Sequence, residues 1–183
     1  MKSAFVAIAI AVLFAACSTP TKLPVDVTEQ HRAFLAFRID SVIFVDNRPD
    51  TVTAEMKLPL LSTRPREWKI SPALTTELRE ELKNIIQSTS NPEGLPTLLT
   101  VVIEEGYYKI SGNAFEVGEH SLFSCSLLFN LKDHPDKFKS FASANYDFVG
   151  TFNATEKHAR EIYRITARNA VFTALKNAEK VFD

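Results

Sequence analysis

Three stretches between residues 97 and 152 confine the middle of this chain to antiparallel strands. Residues 120–131 place Phe123, Cys125, Leu127, Phe129 and Leu131 at every second position, with Ser124, Ser126 and Asn130 between them. Successive side chains of a strand point to opposite faces, so this pattern predicts a strand buried on one face. Leu122 and Leu128 are the exceptions on its polar face. Residues 138–152 continue the alternation through Phe138, Ala142, Ala144, Tyr146, Phe148 and Phe152. Lys132-Asp133-His134-Pro135-Asp136 supplies a hairpin loop between the two. Residues 97–110 are rich in β-formers and apolar on both faces in their first half, which predicts a central position.

Upstream, residues 34–45 alternate, with Leu35, Phe37, Ile39, Ile43 and Val45 assigned to one face and Ala36, Arg38 and Asp40 to the other. The turn-rich Asp46-Asn47-Arg48-Pro49-Asp50 ends that strand. Residues 51–70 read as an irregular excursion or small hairpin, with short strands at 52–58 and 66–70. Ser71-Pro72 then has the form of an N-cap followed by proline at the first helical position. Leu74, Leu78, Leu82, Ile85 and Ile86 make the apolar stripe of that helix, which should end near Ser88. A second helix is expected over 154–181, opened by an Asn153/Glu156 capping box, with Tyr163, Ala167, Ala170, Val171, Ala174, Ala178 and Val181 in one sector. The order β-α-β-β-β-α predicts an α+β two-layer sandwich. Its four-stranded mixed sheet would carry two helices on one face, with the first two strands parallel across the helical crossover.

The first residues carry a different kind of information. Met1-Lys2 is a short positive start, residues 4–14 are unbroken apolar chain, and Ala15-Ala16-Cys17 follows. This is the layout of a secretory leader, too short to span a bilayer as a helix. The Cys after two small residues resembles the lipobox of bacterial lipoproteins, which implies cleavage after residue 16 and acylation of Cys17. Ser18 in the next position resembles sorting to the outer membrane. The expected division is a signal peptide over 1–16, a lipidated Cys and flexible tether over 17–32, and one globular domain over 33–183.

The lipobox-like start, the strand ending in Asp46-Asn47-Arg48, the amphipathic helix, and residues 144–155 (ANYDFVGTFNAT) before a closing helix together resemble the YajG-type outer-membrane lipoproteins. The layout is also similar to the lipopolysaccharide-assembly lipoprotein LptE and other small envelope adaptors. The resemblance implies location and fold and supplies no mechanism.

Chemistry-bearing patterns are few. The net charge of -1 gives none of the electrostatic pull that nucleic-acid binding uses. Cys125 lies between Phe123 and Leu127 on an apolar strand face, where a thiol acts as a small hydrophobe. His31, His120, His134 and His158 have no metal-ligand spacing, and Glu104-Glu105 should point to opposite faces of a strand. No phosphate loop or nucleophile motif occurs, so neither enzyme activity nor a cofactor is expected. Asp46 and Arg48 at a strand end read as a turn with a local Asp–Arg pair or, as candidate partner-binding residues, as a docking point; Leu60, Leu61 and Trp68 either cover the end of the core or form an apolar partner-binding patch. The functional expectation is a membrane-attached envelope protein, held by lipid on Cys17, that binds a protein partner or assists outer-membrane assembly. The alternative is a lipid- or glycolipid-binding transport accessory, which needs a groove lined by Phe, Leu and Tyr between sheet and helices.

Overall fold

The computed structural model describes residues 23–30, 35–49, 56–58, 66–113, 116–132, 137–150 and 155–182. Five strands, β1 (Phe37–Asp46), β2 (Arg66–Ile70), β3 (Leu95–Gly112), β4 (Val117–Leu131) and β5 (Lys137–Gly150), form one mixed sheet. Two helices, α1 (Thr76–Thr89) and α2 (Glu156–Phe182), pack into a single core with it. The α+β fold with a parallel β1–β3 pair and antiparallel hairpins agrees with the sequence. The strand count does not: β2 adds a fifth.

The 18-residue β3 explains how a fifth strand fits. β4 pairs along most of its length on one side. On the other side β1 pairs parallel with residues 95–103 and β2 antiparallel with residues 108–112, so two short strands share one edge end to end. At the opposite border, β5 pairs with β4 across its whole length.

The helices cover one face. α2 brings Ala159, Ala167, Ala170, Ala174 and Ala178 to the core, all nearly or fully buried, against Phe123, Leu127 and Phe129 of β4. Small residues on the helix let its axis approach the sheet, and the strand aromatics fill the volume between them. α1 contributes Leu78, Leu82 and Ile86.

Three local expectations are corrected. First, α1 starts four residues beyond Pro72: Thr75 is its N-cap, with Oγ1 accepting from the Leu78 amide (3.2 Å). Ser71 and Pro72 are buried and precede the helix, and the Pro72 carbonyl is committed elsewhere (below). Second, α2 is capped by Thr155, whose Oγ1 accepts from the His158 amide (3.1 Å), while Asn153 lies outside the described residues. Third, β1 contains a register shift between Ile39 and Ser41. One extra residue reverses the facing of everything after it. Val42 and Phe44 therefore pack toward the core, and Ile43 and Val45 stand exposed on the other face. The Ile39 amide donates to Ser90 Oγ (2.8 Å), which in turn donates to the Phe37 carbonyl (3.2 Å), so the end of α1 is stitched to the start of β1 beside this shift.

Gly94 is part of the same junction. A Cβ there would stand 2.7 Å from the Phe37 carbonyl carbon and 2.8 Å from the Arg38 nitrogen, both backbone atoms that cannot rotate away. Gly94→Ala is expected to lower stability by roughly 2 kcal/mol, read as a shift in the urea midpoint with unchanged slope.

Candidate functional site

Of the pair proposed from sequence as a docking point, Arg48 faces inward, while Asp46 beside it keeps its side chain 31% exposed. The Arg48 side chain is 1% exposed. Its Nε and Nη2 donate to Asp46 Oδ1 (2.8 Å) and Oδ2 (2.5 Å). Nη1 reaches the Pro72 carbonyl (2.8 Å), the Gly106 carbonyl (3.1 Å) and Tyr163 Oη (3.3 Å). One guanidinium thus ties the end of β1 to the β2–α1 connection, the middle of β3 and α2. The hydrogen bonds from Arg48 hold the Asp46 carboxyl below the usual carboxylate range. Burial pushes the Tyr163 hydroxyl up to about 12, so it stays neutral. A Cβ at Gly106 would come 2.7 Å from Tyr163 Oη, which makes glycine a requirement of this arrangement. This cluster is structural: its charge is spent inside the protein.

Trp68 stands half exposed on β2, opposite Ile110. Leu60, Leu61 and Cys17 lie outside the described residues.

The surface that sequence reasoning missed is the sheet face away from the helices. Cross-strand neighbours share a face, so the register places Val45, Val102, Ser126 and Phe141 in one row across four strands. Ile43, Thr100, Leu128 and Lys139 form the next row. Ile43 is 47% exposed and Phe141 53%, with Val45 and Leu128 close to 40%. The rim is charged: Arg38 pairs with Asp40 (2.8 Å) at one end, and Glu104 and Glu105 lie beyond the Val45 row. A second register shift, between Ile103 and Glu105, brings both glutamates to this face, correcting the expectation that they diverge. Glu104 Oε1 accepts from Ser126 Oγ (2.9 Å), and Glu105 pairs with Ser124. Leu122 and Leu128, exceptions to the polar alternation of β4, were the signal for this face in the sequence.

Further along the same face lies a line of polar groups. Asp147 Oδ1 is 2.5 Å from His120 Nδ1, and Tyr107 Oη is 3.3 Å from His120 Nε2. Asn145 donates to the other Asp147 oxygen (3.0 Å), and Lys69 Nζ sits 4.5 Å from the Tyr107 ring centre. The order resembles an acid–base relay. It is laid on a flat sheet surface, with the Asp147 side chain 64% exposed, and so lacks the water-excluded setting that gives such groups catalytic strength.

A cavity of about 400 Å³ lies between α1 and α2. Its lining is largely charged, with Glu77, Glu81, Arg160, Glu161 and Arg164 around Met56, Leu78 and Tyr163. Arg164 bridges Glu81 (2.6 Å) and Glu161 (2.7 Å) across it. Between helices and sheet, Phe123, Leu127, Phe129 and Ile162 are fully buried and fill the layer. Burial raises the Cys125 thiol to about 12, consistent with the core role expected of it. Among the described residues no group of His, Cys, Asp and Glu is placed to hold a metal ion.

One buried carboxyl stands out. Glu119 is on the core face of β4, and among the described residues its Oε2 has no hydrogen-bond partner, as is also true of Tyr108 Oη and His158 Nε2. Burial raises its pKa, against a smaller opposing pull from Tyr108 and His158.

No protein-family model and no curated protein matches the chain.

Two outcomes follow from these buried groups. Arg48→Met should cost about 3 kcal/mol, because a carboxylate and two carbonyls lose their donor, and Arg48→Lys should recover less than half, since a point charge cannot fork. Denaturant titration checks both. A carboxyl whose folded pKa is raised favours folding in acid, and this contribution is lost as pH rises through the folded value. Glu119→Gln should therefore raise Tm above that of the parent at pH 8 and leave it unchanged at pH 4.

Proposed function

We propose that this chain is a lipid-anchored bacterial envelope protein, without enzymatic activity, whose open sheet face binds a protein partner. The observation that carries this reading is the group of exposed apolar side chains in two cross-strand rows, on the sheet face that neither described helix covers. A patch of exposed Ile43, Val45, Leu128 and Phe141 inside a charged rim has the make-up of a protein interface: a dehydratable centre and a polar border. An adaptor of this kind needs a rigid platform, and the buried core behind the sheet supplies one. The leader-like start supports attachment through acylated Cys17, at the outer membrane given Ser18. YajG-type lipoproteins, which the chain resembles, suit the same reading.

The alternative, a transport accessory that carries lipid or glycolipid, draws no support from the described residues. The layer where an acyl groove was expected is filled by Phe123, Phe129 and Leu127. The cleft between the helices is lined by ion pairs that an acyl chain would strand without water.

Two measurements test the reading. The intact mass of the protein from bacterial membranes should exceed that of the polypeptide from Cys17 by a diacylglyceryl group and one further acyl chain, and Cys17→Ser should remove the excess. A photo-crosslinker placed at Leu128 should capture a discrete envelope protein in living cells, whereas one at exposed Glu80 on α1 should not. Phe141→Asp should abolish the Leu128 product while leaving Tm within about 2 °C of the parent, because surface substitutions rarely exceed 0.5 kcal/mol. Equal capture from both positions would discard the open face as the interface.

A further inference from the structure

The stretch expected to act as a free tether includes residues 23–30, and these are fastened to α2. Asp26 Oδ2 lies 2.9 Å from Arg168 Nη1, and Arg168 Nη2 donates to Thr28 Oγ1 (2.7 Å). The Asn169 side chain holds the backbone on both sides of Asp26. Its Oδ1 accepts from the Val27 amide (3.0 Å), and its Nδ2 donates to the Val25 carbonyl (2.8 Å). Asp26 Oδ1 further accepts from the Thr28 amide (3.0 Å) and hydroxyl (2.6 Å), which closes the turn that opens the short 3-10 segment Val27–Gln30. The ion pair is largely shielded from water, with side chains 21% and 12% exposed.

The place of this strap on the helix matters. Ile165, Arg168, Asn169 and Phe172 recur at the spacing of one helical stripe. That stripe is opposite the one formed by Ala159, Tyr163, Ala167, Ala170 and Ala174, which faces the sheet. Ile165 and Phe172 are buried without belonging to the sheet–helix core, as residues covered from outside would be. The strap therefore lies on the outer surface of the helical layer, across the full thickness of the domain from the open sheet face.

We propose that the strap fixes how the domain stands on a lipid surface, with the helical layer toward the bilayer and the open sheet face turned away from it. This rests on the anchor at Cys17 proposed above. Six Cα steps separate Cys17 from Leu23, a reach of about 20 Å when fully extended, against roughly 50 Å for a tether free through residue 32. Strap, helix and sheet are each stacked at about 10 Å, so the open face lies about 20 Å farther from the lipid than the strap. The short leash thus acts at the one point that presents the apolar rows outward.

The test uses the full chain, made with its leader in a bacterial host and reconstituted into phosphatidylethanolamine–phosphatidylglycerol vesicles carrying a headgroup-labelled energy acceptor. Donor dyes go on Val25→Cys, on the strap, or Val149→Cys, on the open face, two strongly exposed positions, while Cys125 is buried. Energy transfer should be several-fold greater from residue 25 than from residue 149. Adding Asp26→Ala and Asn169→Ala should collapse that difference. Equal transfer from both positions in the acylated parent, or a difference that survives release of the strap, would overturn the proposed pose. Intact mass on the same sample reads the anchor separately: an unacylated chain would sink the anchor and the pose that rests on it. Amide exchange at Val27, slow in the parent and in Cys17→Ser and fast in Asn169→Ala, reads the strap alone; fast exchange in the parent would refute it.

Discussion

A buried guanidinium is costly to place, and this fold is arranged around one. Stripping water from Arg48 is tolerable because each of its three nitrogens meets an oxygen: both of Asp46, two backbone carbonyls and a tyrosine hydroxyl. Those oxygens come from segments far apart in the chain, so none of the four can shift without stranding the charge. The register shift in β1 is a condition of this arrangement. By moving Val42 and Phe44 inward it also carries Asp46 to the helix side of the sheet, where Arg48 can meet the Pro72 carbonyl and Tyr163. Gly106 keeps the space in which these groups converge.

The two faces of the sheet are consequently given to different tasks. The inner face is apolar and filled, with alanines of α2 set against phenylalanines of β4. The outer face mixes apolar rows with paired charges and an Asp–His–Tyr line. The same residue types on a concave, water-excluding wall would invite a catalytic reading. On an exposed sheet surface they suit the recognition role proposed above, in which loss of water from Ile43 and Phe141 on contact would favour association.

How much of this was legible in the sequence varies by element. β4 and α2 were read almost residue by residue, because strict alternation and an alanine-rich sector are strong local signals. The start of α1 was not. Ser71-Pro72 has the chemistry of a helix start, yet the structure uses Pro72 as a hydrogen-bond acceptor for Arg48 and delays the helix to Thr76. That demand comes from 24 residues upstream, where no local pattern reports it. The local Asp46–Arg48 pair was legible, but the burial of Arg48 was not, because a turn-rich stretch of charge looks solvent-facing until the tertiary fold closes over it. β2 was weighed as a short strand but left out of the sheet, since its pairing site exists only because β3 outruns β1. The strap was invisible because its partners, Arg168 and Asn169, lie some 140 residues away.

Val42-Ile43-Phe44-Val45 is apolar at every position, so hydrophobicity alone is indifferent to which pair turns inward. What decides the matter is hydrophilic: the serine hydroxyl that receives the Ile39 amide and the aspartate that must meet its arginine. The strand therefore behaves like a coin with two similar sides, and a few hydrogen bonds determine which side lands up. A one-residue slip would leave the greasiness of both faces almost unchanged and would fail only at those few hydrogen bonds.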